Sequence, residues 1–244
     1  VRVARAVSTV LDVAVCLLLV GVAASTLTVA VPNGDRPTTI DSDSTARSLA
    51  TVTATVSAGN GHRAHGTLAG HLARATVTDG RLDGERIASS NYSRNVRRDV
   101  ESHTDVRTHV TARWEPYPNA PLESRISAGI SPPRTADVGA TRLTVDSGVS
   151  AVESRSSFRA IAEAVARSYV DLLFPPERTR VRLVDPRTAK ATADRYGDVA
   201  RTFGTEIDTE IAEASPRRAN ERLAAALADR LGDDLRTRYG TADG

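Results

Sequence analysis

Three histidines, His62, His65 and His71, stand close together and are the first side chains whose types could hold a metal. Zinc needs three or four ligands in fixed geometry, usually with a carboxylate recruited at a catalytic site. Neither a His-Glu-x-x-His run nor a cysteine pair accompanies them, and His103 and His109 bear no spacing to them. They read as surface histidines. Gly59-Asn60-Gly61 follows a strand pattern, but neither dinucleotide nor P-loop spacing continues from it. No nucleophile elbow occurs, and scattered Ser, His and Asp residues define no triad. The sequence therefore assigns no catalytic residue, metal ligand or cofactor, and it does not read as an enzyme.

Two aromatic side chains could serve binding. Trp114 and Tyr117 flank a proline in Trp114-Glu115-Pro116-Tyr117-Pro118, which would suit a carbohydrate or partner platform. Trp114 falls on the apolar face of a strand, however, which favours core packing. Asn91-Tyr92-Ser93 is a glycosylation sequon with Asn91 as acceptor. Thirty-two Lys and Arg residues oppose 30 Asp and Glu, a net charge of +2, and the two signs are interleaved along the chain. Nucleic-acid binders gather their arginines on one face, so this balance argues against such a partner.

The elements that would position these side chains divide by period. Thr51 to Ser57 alternates Thr with Val and Ala, and Val106 to Trp114 alternates cleanly, with Val106, Thr108, Val110, Ala112 and Trp114 on one face. Ser124 to Ile130 reads as an antiparallel return and Val138 to Asp146 as a further strand. Short helices fit Gly66 to Ala75 and Asn91 to Ser102, the latter with Tyr92, Val96 and Val100 on one face. The second half is helical. Phe158, Ile161, Val165, Tyr169 and Leu172 stripe a helix over Ser150 to Phe174, stopped by Pro175-Pro176. Another helix fits Arg187 to Phe203. The last begins at Ser215 as N-cap with Pro216 in first position and carries Leu223, Leu227, Leu231 and Leu235. Strands first and helices later predict an α+β fold with a small antiparallel sheet and a helical C-terminal half.

Ahead of all this, Val13 to Val31 contains no charged residue. Nineteen helical residues would span about 28 Å, close to a hydrocarbon core of about 30 Å. The expected anchor is a single transmembrane helix over 10–31, with Val13, Leu17, Leu18, Leu19, Val20, Val22, Leu27 and Val29 facing lipid. Arg2 and Arg5 precede it, while Asp35, Asp41 and Asp43, with Arg36 among them, follow it. Positive charge stays inside, so the N-terminus is expected in the cytoplasm and the rest outside. The rival is a removable secretory signal, whose best site in this stretch is Thr28-Val29-Ala30. Cys16, the only cysteine, lies inside the run, so no internal disulfide is available.

Arg5-Ala6 followed by Val7-Ser8-Thr9-Val10-Leu11-Asp12 resembles the N-terminus of archaeal type IV pilins and of minor pilins of tight-adherence systems. That resemblance implies peptidase cleavage between Ala6 and Val7, with the apolar helix kept on the mature subunit. Thr9 stands where proline is common, and Leu11-Asp12 replaces Ile-Gly. Trp114 to Pro118, Leu173 to Pro176 and the arginine-rich stretch Arg217 to Leu231 resemble an uncharacterised family of haloarchaeal membrane-anchored proteins. Lys190 as the only lysine, the lack of methionine and Val1 at the first position fit a GC-rich prokaryotic genome, such as that of a haloarchaeon or an actinobacterium.

These readings combine into one expected layout: a basic leader over 1–9, a membrane helix over 10–31 and a linker over 32–48. A sheet-containing α+β region over 49–148 follows, then a helical region over 149–244 packed on it. A chain beginning at residue 44 is then expected to be soluble on its own. The expected function is a membrane-anchored extracytoplasmic structural or accessory protein, a pilin-like subunit of a surface or secretion assembly. An anchored ligand-binding or sensing module with no pilus role is the alternative. Its partners would be the bilayer and, in the first case, pilus or secretion-system subunits.

Overall fold

The computed structural model describes residues 24–32, 42–59, 62–88, 91–149, 157–207 and 215–240. The expected leader, the candidate processing pair Ala6 and Val7, and the anchor residues Val13, Leu17, Leu18, Leu19, Val20 and Val22 lie outside the described residues.

The chain enters the fold as a strand. Ala24–Pro32 (β1) is an interior strand, paired antiparallel on both sides. The expected membrane helix over 10–31 is thus corrected over its last third: Leu27 and Val29 belong to a sheet. Leu27 stands opposite Ala112 and Leu143, and Val29 opposite Val110 and Thr141. Lack of charge alone does not separate a helix from a strand. Thr26, Thr28, Val29 and Val31 are β-branched, and such side chains lose less rotamer freedom in a strand than in a helix.

Part of the expected linker is helical. Ser42–Thr51 (α1) buries Ala46 and Leu49. Apolar residues three apart on a helix share a face, and that spacing seats α1 against the core. Thr141 donates to Asp43, and Ser42 and Thr141 share a hydrogen bond at 2.9 Å, which pins the start of α1 to the sheet. A hairpin follows, Thr53–Gly59 (β2) with His62–Thr67 (β3), and leads into Leu68–Thr78 (α2). Thr67 caps α2 by accepting from the Gly70 amide. Gly66 therefore ends a strand instead of starting the helix.

The two-residue strands Arg81–Leu82 (β4) and Glu85–Arg86 (β5) form a tight hairpin through Asp83 and Gly84, both at positive φ. Asn91–His103 (α3) buries Tyr92, Val96 and Val100, the face its spacing predicts. His109–Trp114 (β6) and Leu122–Ala128 (β7) pair antiparallel. Val106, expected on the apolar face of that strand, precedes it and is 75% exposed. Val138–Asp146 (β8) completes a six-stranded antiparallel sheet in the order β5-β4-β7-β6-β1-β8. Val110, Ala112, Ile126 and Ala128 face α1, α2 and α3 and form one core with Leu49, Leu68, Leu72, Val96 and Val100.

The helical half is Phe158–Leu173 (α4), Pro176–Val184 (α5), Ala189–Phe203 (α6) and Pro216–Tyr239 (α7). Ser157 and Ser215 cap α4 and α7, each accepting from the amide three residues on. Helix α4 lies along α7, burying Ile161, Val165 and Tyr169 against Leu223, Leu227, Leu231 and Leu235. Trp114 joins this second core and stacks on Tyr169 with ring centroids 5.7 Å apart. Tyr117 donates to the Leu231 carbonyl and to Asp234, tying the β6–β7 loop to α7. The chain is thus an α+β protein whose antiparallel sheet carries helices on one face. Among the described residues, no helix is long and apolar enough to cross a membrane.

Candidate functional site

Two hollows share one carboxylate, Asp171. The first, about 580 Å³, lies between α4 and α7, with Arg159, Glu163, Arg167, Asp171, Asn220 and Glu221 along it. Its floor is a buried knot. Tyr196 donates to the Asn220 side-chain oxygen at 2.7 Å, and the Asn220 amide nitrogen donates to Asp171 at 3.0 Å and to the Phe174 carbonyl at 2.8 Å. Asn220 is thereby fully occupied, which is what a buried amide requires. Burial pushes the Tyr196 hydroxyl up, so it stays a donor at any physiological pH. Phe174 stacks on Tyr196 at 3.9 Å, and the Arg195 guanidinium sits 5.2 Å from the Phe174 ring centroid.

The second hollow, about 740 Å³, opens on the other side of Asp171, lined by His65, His71, Arg74, Asp146, Ser168 and Arg178. It holds two of the three histidines first considered as metal ligands. His71 is buried, with Nδ1 2.7 Å from the Tyr92 hydroxyl and Nε2 3.1 Å from the Ala54 carbonyl. A carbonyl only accepts, so Nε2 carries the proton and Nδ1 accepts from Tyr92. Neither ring nitrogen keeps a lone pair for a metal. His65 shares a hydrogen bond with Thr55 at 2.8 Å. Among the described residues no group of His, Cys, Asp or Glu could hold a metal ion.

Both hollows mix charge signs, and Arg159 pairs with Glu163 at 2.8 Å across one helical turn. What such a lining can do is hold a polar ligand or segment carrying both signs. Trp114, weighed as a binding platform, is buried in the core together with Tyr117. Asn91, the candidate glycosylation acceptor, is exposed at the start of α3, whereas Ser93 of its sequon is buried.

Comparison with known proteins gives one match: a family of unknown function (DUF7284) over residues 11–244. The chain belongs to this family. No curated protein and no solved structure matches it. The match begins ahead of β1 and takes in both hollows, so both belong to the family's matched span.

The Asn220 knot was missed by sequence reasoning, although one signal was present. Asn220 stands three residues before Leu223, on the face that the leucine stripe marks as buried. An amide on that face must find partners inside the protein. His71 carried the same signal on α2, between Leu68 and Leu72.

Tyr92→Phe tests the second knot. It removes the donor to His71 Nδ1 and leaves a buried acceptor unpaired, so the expected cost is about 1–3 kcal/mol in urea unfolding. Burial pushes the Tyr92 hydroxyl up to about 12. The native state therefore holds this proton more tightly than the unfolded chain, whose tyrosines ionise near pH 10. Stability from Tyr92 is complete below about pH 10 and falls away as pH rises towards 12. Tyr92→Phe should flatten that alkaline loss, and an unchanged alkaline profile would refute the assignment.

Proposed function

We propose that this chain is an extracytoplasmic structural or accessory protein, held at a membrane by its N-terminal apolar segment and acting as a pilin-like subunit of a surface assembly. The observation that carries the reading is how that segment joins the domain. In the sequence no charged residue separates the apolar run from β1, an interior strand. An anchor fused to an interior strand fixes the domain's position against the membrane, as packing into an assembly requires. A sensing module is better served by a flexible tether.

With Ala24 onward in the sheet, the residues left for a membrane helix shift toward the N-terminus. Val7 to Ala23 would span about 25 Å as a helix, the short end of what crosses a bilayer. Asp12 would then sit in its first turns, near the headgroups, where a carboxylate costs little. This is the stretch that a cut between Ala6 and Val7 would leave at the front of the mature chain.

A second reading has its own support. Val13 to Ala23 alone has the length of a secretory signal core, and Gly21-Val22-Ala23 offers small residues just before β1. A cut after Ala23 would leave β1 whole, whereas one after Ala30 would divide it. The protein would then be free of the membrane.

Mass spectrometry of the native protein, with fractionation of the cells, separates these readings. A mature terminus at Val7 in the membrane fraction is the expected result, abolished by Ala6→Leu. Asp12→Ala should spare processing and impair incorporation. Residue 1 retained in the membrane would leave an uncut anchor and favour the sensing module. A terminus at Ala24 in the soluble fraction would overturn the anchor.

A further inference from the structure

The two edges of the sheet differ sharply. At one end stands β5, two residues long, and so short an edge gives an incoming strand little to pair with. At the other stands β8, nine residues long and paired with β1 through nine consecutive positions without a bulge. Among the described residues nothing pairs with its outer edge. The strand has no proline from Val138 to Asp146, no irregularity in register and no lysine, and its only charged residues are Arg142 and Asp146. Thr141, Thr144 and Val145 are β-branched, as a strand able to pair on both sides would be.

We propose that β8 pairs antiparallel with β8 of a second copy of this chain, about a two-fold axis at Thr144. The charges choose both partner and register. Arg142 and Asp146 lie on the same, exposed face of the strand, four residues apart. With the axis at Thr144, Arg142 faces Asp146 of the partner subunit, and the symmetry repeats the pair. On the other face Leu143, which packs partly on the sheet's core, lies opposite Val145 of the partner subunit. An axis at Arg142 would oppose two arginines, and an axis at Leu143 would leave both charges without a counterpart. Asp146 also accepts from the Gly148 amide at 2.9 Å, which steadies its carboxylate for a second contact.

The overlap from Arg142 to Asp146 is short, so the dimer is weak and concentration-dependent in solution. Confinement to a surface would raise the effective concentration and favour it. The pairing does not rest on the membrane reading, since a soluble chain would show it equally.

The test uses the full chain, in detergent where it requires it, with Cys16→Ser removing the native thiol. Thr144→Cys should form an intermolecular disulfide, because cross-strand Cα atoms stand about 4.5–5.5 Å apart, within disulfide range. Ala140→Cys should not, because its two copies would lie about 27 Å apart along the strands. Sedimentation should show Arg142→Asp weakening the dimer at least tenfold, and Arg142→Asp with Asp146→Arg restoring it, circular dichroism confirming that each variant is folded. A monomer throughout the micromolar range, equal crosslinking at both positions, or a dimer indifferent to Arg142→Asp would each overturn the proposal. So would capture of Thr144→Cys by a different protein while the chain itself stays monomeric.

Discussion

A chain beginning at Ser42 should show no cooperative thermal unfolding, whereas one beginning at Ala24 should melt in a single transition. Removing β1 takes away the partner of β6 from Thr26 to Ala30 and, among the described residues, the one strand neighbour of β8 along its whole length. Roughly a dozen backbone hydrogen bonds go with it, at a net of about 1 kcal/mol each before any apolar burial is counted. A domain of this size is stable by about 5–15 kcal/mol, so the loss consumes all or most of it. The outcome reverses the expectation that a chain starting at residue 44 would be soluble by itself. It would leave β6 as a raw sheet edge and β8 without its strand partner, which favours aggregation. The check is circular dichroism on both chains during heating, with light scattering recorded alongside. A cooperative melt of the shorter chain at the same temperature as the longer one would contradict the interior position of β1.

That result also marks where reading the sequence was sound and where it failed. Strand β6 was legible because alternation over Thr108, Val110, Ala112 and Trp114 admits no helical interpretation, and all four are buried. Helix α7 was legible because a cap, a proline and a leucine period agree over its length. Strand β1 was not. A charge-free run can be a membrane helix or a strand, and periodicity does not choose between them here. Composition could have done so: Val13 to Val22 is rich in Leu and Val with no Thr, whereas Ser25 to Val31 brings in Ser and two Thr. Helix α1 was hidden for the opposite reason. Ser, Thr and Asp dominate it and favour turns, and only Ala46 and Leu49 hold it to the core. Helix α5, an arginine-rich stretch with Thr179 and Leu183 buried, gave too little pattern to be found.

The hollows were less legible than the fold because they are made between elements. Asp171 reaches Asn220 across 49 positions of sequence, and His71 reaches Tyr92 across 21. No local spacing encodes either contact. The individual residues did announce themselves, as polar groups on faces that periodicity marks as buried. The reading of the three histidines as surface residues fails for His71, which is buried and hydrogen-bonded at both ring nitrogens.

Trp114→Ala should be among the most damaging single changes, at about 3–5 kcal/mol. Trp114 is buried at the end of β6, where the sheet gives way to the helical half, and stacks on Tyr169 with planes 7° apart. Its loss opens a cavity lined by that ring, in a core that includes Leu122, Tyr117 and α7, and rigid aromatic neighbours collapse poorly into such space. Tyr169→Phe at the other side of the stack should behave differently. Among the described residues the buried Tyr169 hydroxyl has no hydrogen-bond partner, so removing it discards an uncompensated desolvation and leaves stability unchanged or raised by about 1 kcal/mol. The same hydroxyl fills the space where Gly80 would carry a Cβ. Gly80→Ala alone should therefore destabilise the fold by overlap, and Tyr169→Phe should recover part of that loss. Urea unfolding followed by circular dichroism measures all four variants, since Trp114→Ala removes the only tryptophan fluorophore. Additive effects of Gly80→Ala and Tyr169→Phe would place Gly80 away from the ring. A loss below about 1 kcal/mol for Trp114→Ala would show that the indole does not hold the sheet to the helices.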